Sequence, residues 1–128
     1  MKTRAVTELV KGEFESIQNF LSVELYAGQF DDARKLINRL PGLLLLVDDT
    51  PLDKLDHDYD KTVYYKALLI HSDKSSEEKQ VLEMLDLVDS VVDCVKDIRG
   101  MKLINYRPVE SSKAVIVYEV NFKYEERI

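Results

Sequence analysis

The chain has 128 residues, of which 45% are hydrophobic and 33% are charged. This length and composition are typical of one globular domain and exclude an intrinsically disordered chain. The net charge of −6, from 24 acidic and 18 basic residues, argues against specific nucleic-acid binding, because affinity for a phosphate backbone comes from Lys and Arg.

The N-terminal segment has the spacing of an amphipathic helix from Thr3 to about Tyr26. Its apolar residues recur at intervals of three and four, at Val6, Val10, Phe14, Ile17, Leu21 and Leu25. Gly12 is expected to weaken this helix by about 1 kcal/mol, and to mark a kink or a close packing contact. The same spacing predicts a second, short helix from Phe30 to Leu40, with Asp31 and Asp32 near its start.

Two β patterns follow this second helix. After Pro41-Gly42, the continuous apolar run Leu43–Val47 predicts a strand covered on both faces or central in a sheet. Thr62–Ser72 is rich in β-branched and aromatic residues, which favour a strand. We expect the two strands to pair antiparallel across a long acidic loop, Asp48–Lys61.

The second half of the chain predicts one long helix followed by two strands. The helix runs from Ser75 to Ile98, with Ser75 as N-cap and Glu78 as its reciprocal partner in a capping box. Arg99-Gly100 ends it. Lys102–Arg107 is then predicted to be a strand ended by Pro108. In Lys113–Tyr124, apolar and polar residues alternate, so this strand should have one buried side and one solvent-exposed side.

These elements predict a single α+β domain over residues 1–128. We expect two layers, namely a mainly antiparallel sheet of about four strands, two main helices and the short helix. Tyr64, Leu68, Ile70 and Val117 are large apolar residues outside a simple buried stripe. They fit either a second core layer or an interface between subunits.

Segment 48–60 contains six aspartates and His57, and it is the main concentration of metal ligands in the sequence. Asp56, Asp58 and Asp60 resemble the start of a calcium-binding loop. However, Lys61 takes the position that requires glycine, and Ala67 takes the position that requires glutamate. We therefore predict no metal and no cofactor, with a small metal-dependent enzyme built on this segment as a weaker alternative.

No pattern for catalysis or phosphate binding accompanies these acidic residues. His57, His71 and Cys94 match no zinc spacing, and no nucleophile motif adjoins either histidine. We interpret Cys94 as a core residue of a protein from a reducing compartment, and His71 as a surface or rim residue. The longest apolar run is too short to span a bilayer.

Tyrosine side chains can stack on nucleic-acid bases, but no basic groove accompanies them in this sequence. We therefore interpret them as core or interface residues. These tyrosines are Tyr59, Tyr64, Tyr65, Tyr106, Tyr118 and Tyr124.

The order of elements resembles that of the small tail-terminator and tail-completion proteins of tailed bacteriophages, particularly their Mu-like branch. Ala33–Val47 is similar to that family's polar helix running into an apolar strand through Leu-Pro, and Ile98–Tyr124 is similar to its helix stop and final hairpin. The resemblance covers nearly the whole chain through pattern, without a diagnostic motif.

The resemblance implies a homo-oligomeric ring, usually of six subunits, that assembles in the cytoplasm and ends in the virion tail. Such a ring caps the tail tube, halts its polymerisation and docks to the head connector, and no catalytic residues come with it. The acidic loop would then contact the lumen or a partner, where like charge keeps DNA from adhering. The candidate residues for that contact are Asp53, Asp56, His57, Asp58 and Asp60.

The composition also leaves a different class of function open. An acidic, non-enzymatic binding module, such as an immunity or antitoxin-like protein, would neutralise a basic protein partner as a monomer or a dimer. The oligomeric state separates this alternative from a ring.

Overall fold

The computed structural model describes residues 3–26, 39–48, 60–72, 76–111 and 115–127. These residues form an α+β fold. Its elements are α1 (Thr3–Glu15), β1 (Ser22–Leu25), β2 (Gly42–Asp48), β3 (Asp60–His71), α2 (Glu77–Asp97), β4 (Met101–Ser111) and β5 (Ile116–Arg127). The predicted short helix, Phe30–Leu40, lies outside the described residues apart from Arg39 and Leu40.

The five strands form one sheet in the order β1-β2-β3-β5-β4. β1 is parallel to β2, and every other neighbouring pair is antiparallel. The sheet is therefore mixed, and the expectation of about four strands in a mainly antiparallel sheet was too simple. The predicted antiparallel pairing of the apolar run with the following strand is confirmed, since Leu45 of β2 lies opposite Ala67 of β3.

The additional strand comes from the end of the predicted N-terminal helix. α1 stops at Glu15, so the prediction of a helix reaching Tyr26 was wrong. Leu21 and Leu25 fit a helical spacing, but together with Val23 they also fit a β alternation. Their segment instead pairs with β2, with Val23 opposite Leu43, and this pairing satisfies backbone groups that a helix would have satisfied internally.

Both helices pack on one face of the sheet and bury the main core there. An aromatic group lies at its centre, where Phe122 of β5 stacks on Tyr65 of β3 with ring centroids 5.2 Å apart. Phe14 of α1 meets Phe122 edge-on at 5.9 Å, and the Tyr65 hydroxyl shares a hydrogen bond of 2.9 Å with Thr7 Oγ1. These contacts join α1 to the two middle strands.

The opposite face of the sheet carries a second apolar cluster. It consists of Leu44, Leu68, Ile70 and Val117, with Tyr26, Leu40, Leu46 and Val115 packed against it. Leu43 and Leu44 point to opposite faces and both are 0% exposed, which confirms that β2 is covered on both faces. The face of β5 that was expected to be solvent-exposed is only partly exposed, because Val117 and Glu119 are buried.

Helix α2 begins one residue later than predicted. Ser76, rather than Ser75, is its N-cap, and its side-chain oxygen accepts a hydrogen bond of 3.2 Å from the Lys79 backbone N–H. With Ser76 as N-cap, the residue three positions later is Lys79 rather than Glu78, so the predicted reciprocal pair of a capping box does not apply. The predicted helix stop is confirmed, since the helix ends at Asp97 and Gly100 adopts a φ of +87°.

Strand β4 does not end at Pro108 as predicted but continues to Ser111. Register shifts between Leu103 and Asn105, and between Pro108 and Glu110, mark two irregularities in its pairing with β5. β4 is the last strand of the sheet. A proline is tolerated on such an edge strand.

Two glycines provide a matched test of these local conformations. Gly100→Ala should lower the free energy of unfolding by more than about 1 kcal/mol, because φ is positive and a Cβ would lie 2.6 Å from the Tyr124 ring. Gly12→Ala should raise it by about 0.5–1 kcal/mol, because Gly12 lies in a helix with nothing within 4 Å of its Cβ position. Urea denaturation of both variants measures the two changes, and equal effects would contradict this account.

Candidate functional site

The acidic residues predicted from the sequence are mostly outside the described part of the chain. Asp53, Asp56, His57 and Asp58 fall in residues 49–59, whose structure is not described. Asp60 is the first residue of β3, and its backbone pairs with Arg127. The predicted loop is therefore shorter than Asp48–Lys61, and its role in a lumen or partner contact stays a prediction.

The described residues bring together no obvious reactive group. Among them, no three or more His, Cys, Asp or Glu side chains are grouped so that they could hold a metal ion. Cys94 lies half-buried against the main core. Burial, followed by the charges of Glu13 and Asp97, raises the pKa of its thiol to about 11. At neutral pH the thiol is protonated and a poor nucleophile.

His71 is buried rather than at the surface, which corrects the prediction from the sequence. Only 5% of the residue is exposed, and its Nε2 lies 2.8 Å from Glu83 Oε2 on α2. The residue follows the helix-facing alternation of β3, so its position at a strand end does not make it a rim residue. Glu83 supplies a polar partner for Nε2, whereas the buried Nδ1 has no hydrogen-bond partner among the described residues.

A polar area, which we call the polar face, lies beside the second apolar cluster on the side of the sheet away from the helices. It consists of Lys66, Lys102, Asn105, Arg107, Glu119, Asn121, Lys123 and Glu125. Asn121 donates a hydrogen bond of 2.8 Å to Asn105 at its centre. Four cations and two carboxylates make this area net positive on a chain whose net charge is −6.

Glu119 is the buried carboxylate of the polar face, with a side-chain exposure of 5%. Lys66 of β3 lies 2.9 Å from its Oε2, and Arg107 of β4 donates Nε to its Oε1. Burial raises the pKa of Glu119, but the hydrogen bonds and charges of Lys66 and Arg107 outweigh burial and hold it below the ordinary 4.5. The carboxylate thus links three adjacent strands.

The free edge of β4 is the most unusual surface in the described part of the chain. Ile104, Tyr106 and Val109 are 46%, 51% and 43% exposed. Within the described residues, β5 is the only strand that pairs with β4. An edge strand that exposes backbone hydrogen-bonding groups together with large apolar side chains is a template for binding another strand. The core part of the tyrosine prediction is confirmed for Tyr65, whereas Tyr106 is exposed on this edge and an interface role stays a prediction.

The opposite edge of the sheet is formed by β1. It is also apolar, because Leu21 and Leu25 are 49% and 50% exposed. In the described ranges, β1 pairs with β2 alone. The molecule therefore carries exposed apolar side chains at both ends of its sheet.

Comparison with known proteins does not extend this description. The sequence matches no protein-family model and no curated protein. In the part of the chain that the structure describes, no helix is long and apolar enough to cross a membrane.

The Glu119 cluster makes a prediction about pH. Glu119→Gln should lower the free energy of unfolding at pH 7 by about 1–2 kcal/mol, because hydrogen bonds to a charged acceptor are stronger than those to a neutral one. The wild-type carboxylate stabilises the fold fully above pH 4.5, and this contribution is lost as the pH falls through its lower folded-state pKa. The difference between the two proteins should therefore shrink in acid.

The matched control for this prediction is Glu8→Gln. Glu8 accepts a hydrogen bond from Arg4, but both side chains are mainly exposed, at 65% and 89%. Such a pair contributes about 0–1 kcal/mol, so the control should change little at either pH. A pH-independent loss in Glu119→Gln would contradict the role assigned to the charge.

Proposed function

We propose that the protein is a structural component of the head–tail junction of a phage or prophage. In this proposal, six identical subunits form a ring that caps the tail tube and docks to the head connector. The observation that carries the proposal is the free edge of β4, with Ile104, Tyr106 and Val109 exposed. It supports a function that depends on association with other protein chains.

The physical argument for a ring begins with the two sheet edges. Natural proteins shorten, charge or cover edge strands to prevent association. β4 has some of these protective features, namely Pro108, two register shifts and the exposed charges of Lys102 and Arg107. It is nevertheless 11 residues long and keeps three large exposed apolar side chains. A head-to-tail interface between identical subunits uses a different surface on each side, so it can cover both edges of every subunit when the rotation closes.

The charge distribution also supports a place beside translocating DNA. The outer surface of α2 exposes Asp86, Asp89, Asp93 and Asp97, and the chain as a whole is acidic. Negative charge lowers the affinity of a surface for a phosphate backbone. In the proposed ring, an acidic lumen lets DNA pass without adhering.

The acidic residues that the sequence predicts to contact the lumen or a partner can be tested separately. Changing Asp53, Asp56, Asp58 and Asp60 together to Asn removes four negative charges while keeping the side-chain sizes. We expect phage assembly or infectivity to fall while the purified protein keeps its urea denaturation midpoint. Unchanged assembly and infectivity would remove these residues from the proposed contact.

The β4 edge provides the main test of the proposed function. Ile104→Lys combined with Val109→Lys should abolish the ring in native mass spectrometry, because two charged side chains would be buried in the interface. The same variant should no longer shorten or cap tubes assembled from the tail-tube protein of the same phage, as measured by electron microscopy.

Leu82→Lys is the matched control, because Leu82 is 55% exposed on α2 and belongs to neither edge strand. It should leave the ring and the capping of tubes intact. A wild-type protein that stays monomeric at every concentration and does not cap tubes would contradict the proposal. If that monomer bound a basic protein, the acidic surface of α2 would favour the immunity or antitoxin-like alternative.

A further inference from the structure

We infer that the free edge of β4 binds β1 of a second copy of this chain, so that the sheet continues from one subunit into the next. This inference rests on the proposed ring and names the surfaces that form it. Three observations support it: the direction of the two edge strands, the side chains on each face of those strands, and the short regular stretch of β4.

The strand directions determine how two copies can join. Following the pairings across the sheet, β1 and β4 run in opposite directions. When a second copy is placed beside the first without being turned over, its β1 therefore meets β4 as an antiparallel neighbour. Antiparallel pairing aligns the backbone donors and acceptors of the two free edges.

The faces of the two edges complement one another in this arrangement. Leu25 pairs with Leu45, and Tyr106 pairs with Val120, so both lie on the helix side of the sheet. Glu24 lies on the other side, because its partner Leu44 belongs to the second cluster.

Arg107 shares that other side, since it contacts Glu119 there, and its side chain is still 69% exposed. An antiparallel register with Arg107 opposite Glu24 also puts Tyr106 opposite Leu25. One register thus places opposite charges together on one face and apolar side chains together on the other, which is the arrangement that stabilises cross-strand pairs.

The irregularities of β4 limit what the edge can accept. Pairing with β5 is regular between the two register shifts, over Asn105–Pro108. Pro108 has no N–H to donate, and bulges increase the local twist. A long foreign strand therefore fits poorly, whereas β1 has four residues, Ser22–Leu25. In the register described above, the regular stretch meets residues 23–26 of the second copy.

Engineered cysteines test this pairing directly. In a Cys94→Ala background, Leu25→Cys and Tyr106→Cys together should give disulfide-linked multimers in a ladder on a non-reducing gel. Directly opposite residues of an antiparallel pair are close enough for a disulfide. Within one subunit the two edges are separated by four strand spacings, or about 19 Å, so the link cannot be intramolecular.

The single variants distinguish this arrangement from a two-fold one. Tyr106→Cys alone and Leu25→Cys alone should both remain monomeric on the gel. A disulfide-linked dimer of Tyr106→Cys alone would show that β4 pairs with β4 of a second copy, and it would overturn the inference.

Reversing one charge supplies an independent readout. Glu24→Lys should weaken self-association about three- to tenfold, because it places like charges opposite each other, whereas Glu8→Lys should not change it. A ring that forms normally in native mass spectrometry, with no ladder from the double cysteine variant, overturns the edge pairing and leaves the proposed function standing. A wild-type chain that forms no ring and caps no tube overturns the proposed function itself.

Discussion

The stacked contact between Tyr65 and Phe122 is the interaction on which the rest of the fold depends. Their strands, β3 and β5, lie at the middle of the sheet and pair along all 12 residues of each strand. Phe14 meets the Phe122 ring edge-on, and Thr7 shares a hydrogen bond with the Tyr65 hydroxyl. The aromatic group therefore fixes α1 over the sheet centre, and the two edges remain at the periphery.

Much of the fold could be predicted from the sequence because several elements have only one physical interpretation. The unbroken apolar run of β2 requires cover on both faces, and the capping residues of α2 agree with its helical spacing. The segment around β1 was ambiguous, since the spacing of Leu21 and Leu25 is compatible with a helix and with a strand. Its conformation is decided by the backbone of β2, a partner about 20 residues further along the chain.

The candidate site was less accessible to prediction, because an edge is a property of strand order rather than of any one strand. The sequence of β4 does not reveal that this strand, with Tyr106, forms an edge of the described sheet. Glu119 alternates with apolar residues and resembles a wet position, but the neighbouring strands bring Lys66 and Arg107 to it. Of the predicted acidic candidates, only the backbone of Asp60 is described, so the interaction surface emerges from non-local pairing.

The position of β5 between β3 and β4 has a consequence for folding during synthesis. β3 leaves the ribosome before α2 and β4, yet its full-length partner is made last. Until then, the apolar residues on both faces of β3 lack one of their two neighbouring strands. Contacts between such distant segments form slowly because a long loop must close first. The nascent chain therefore has a period in which its future sheet centre is exposed to aggregation or to chaperone binding.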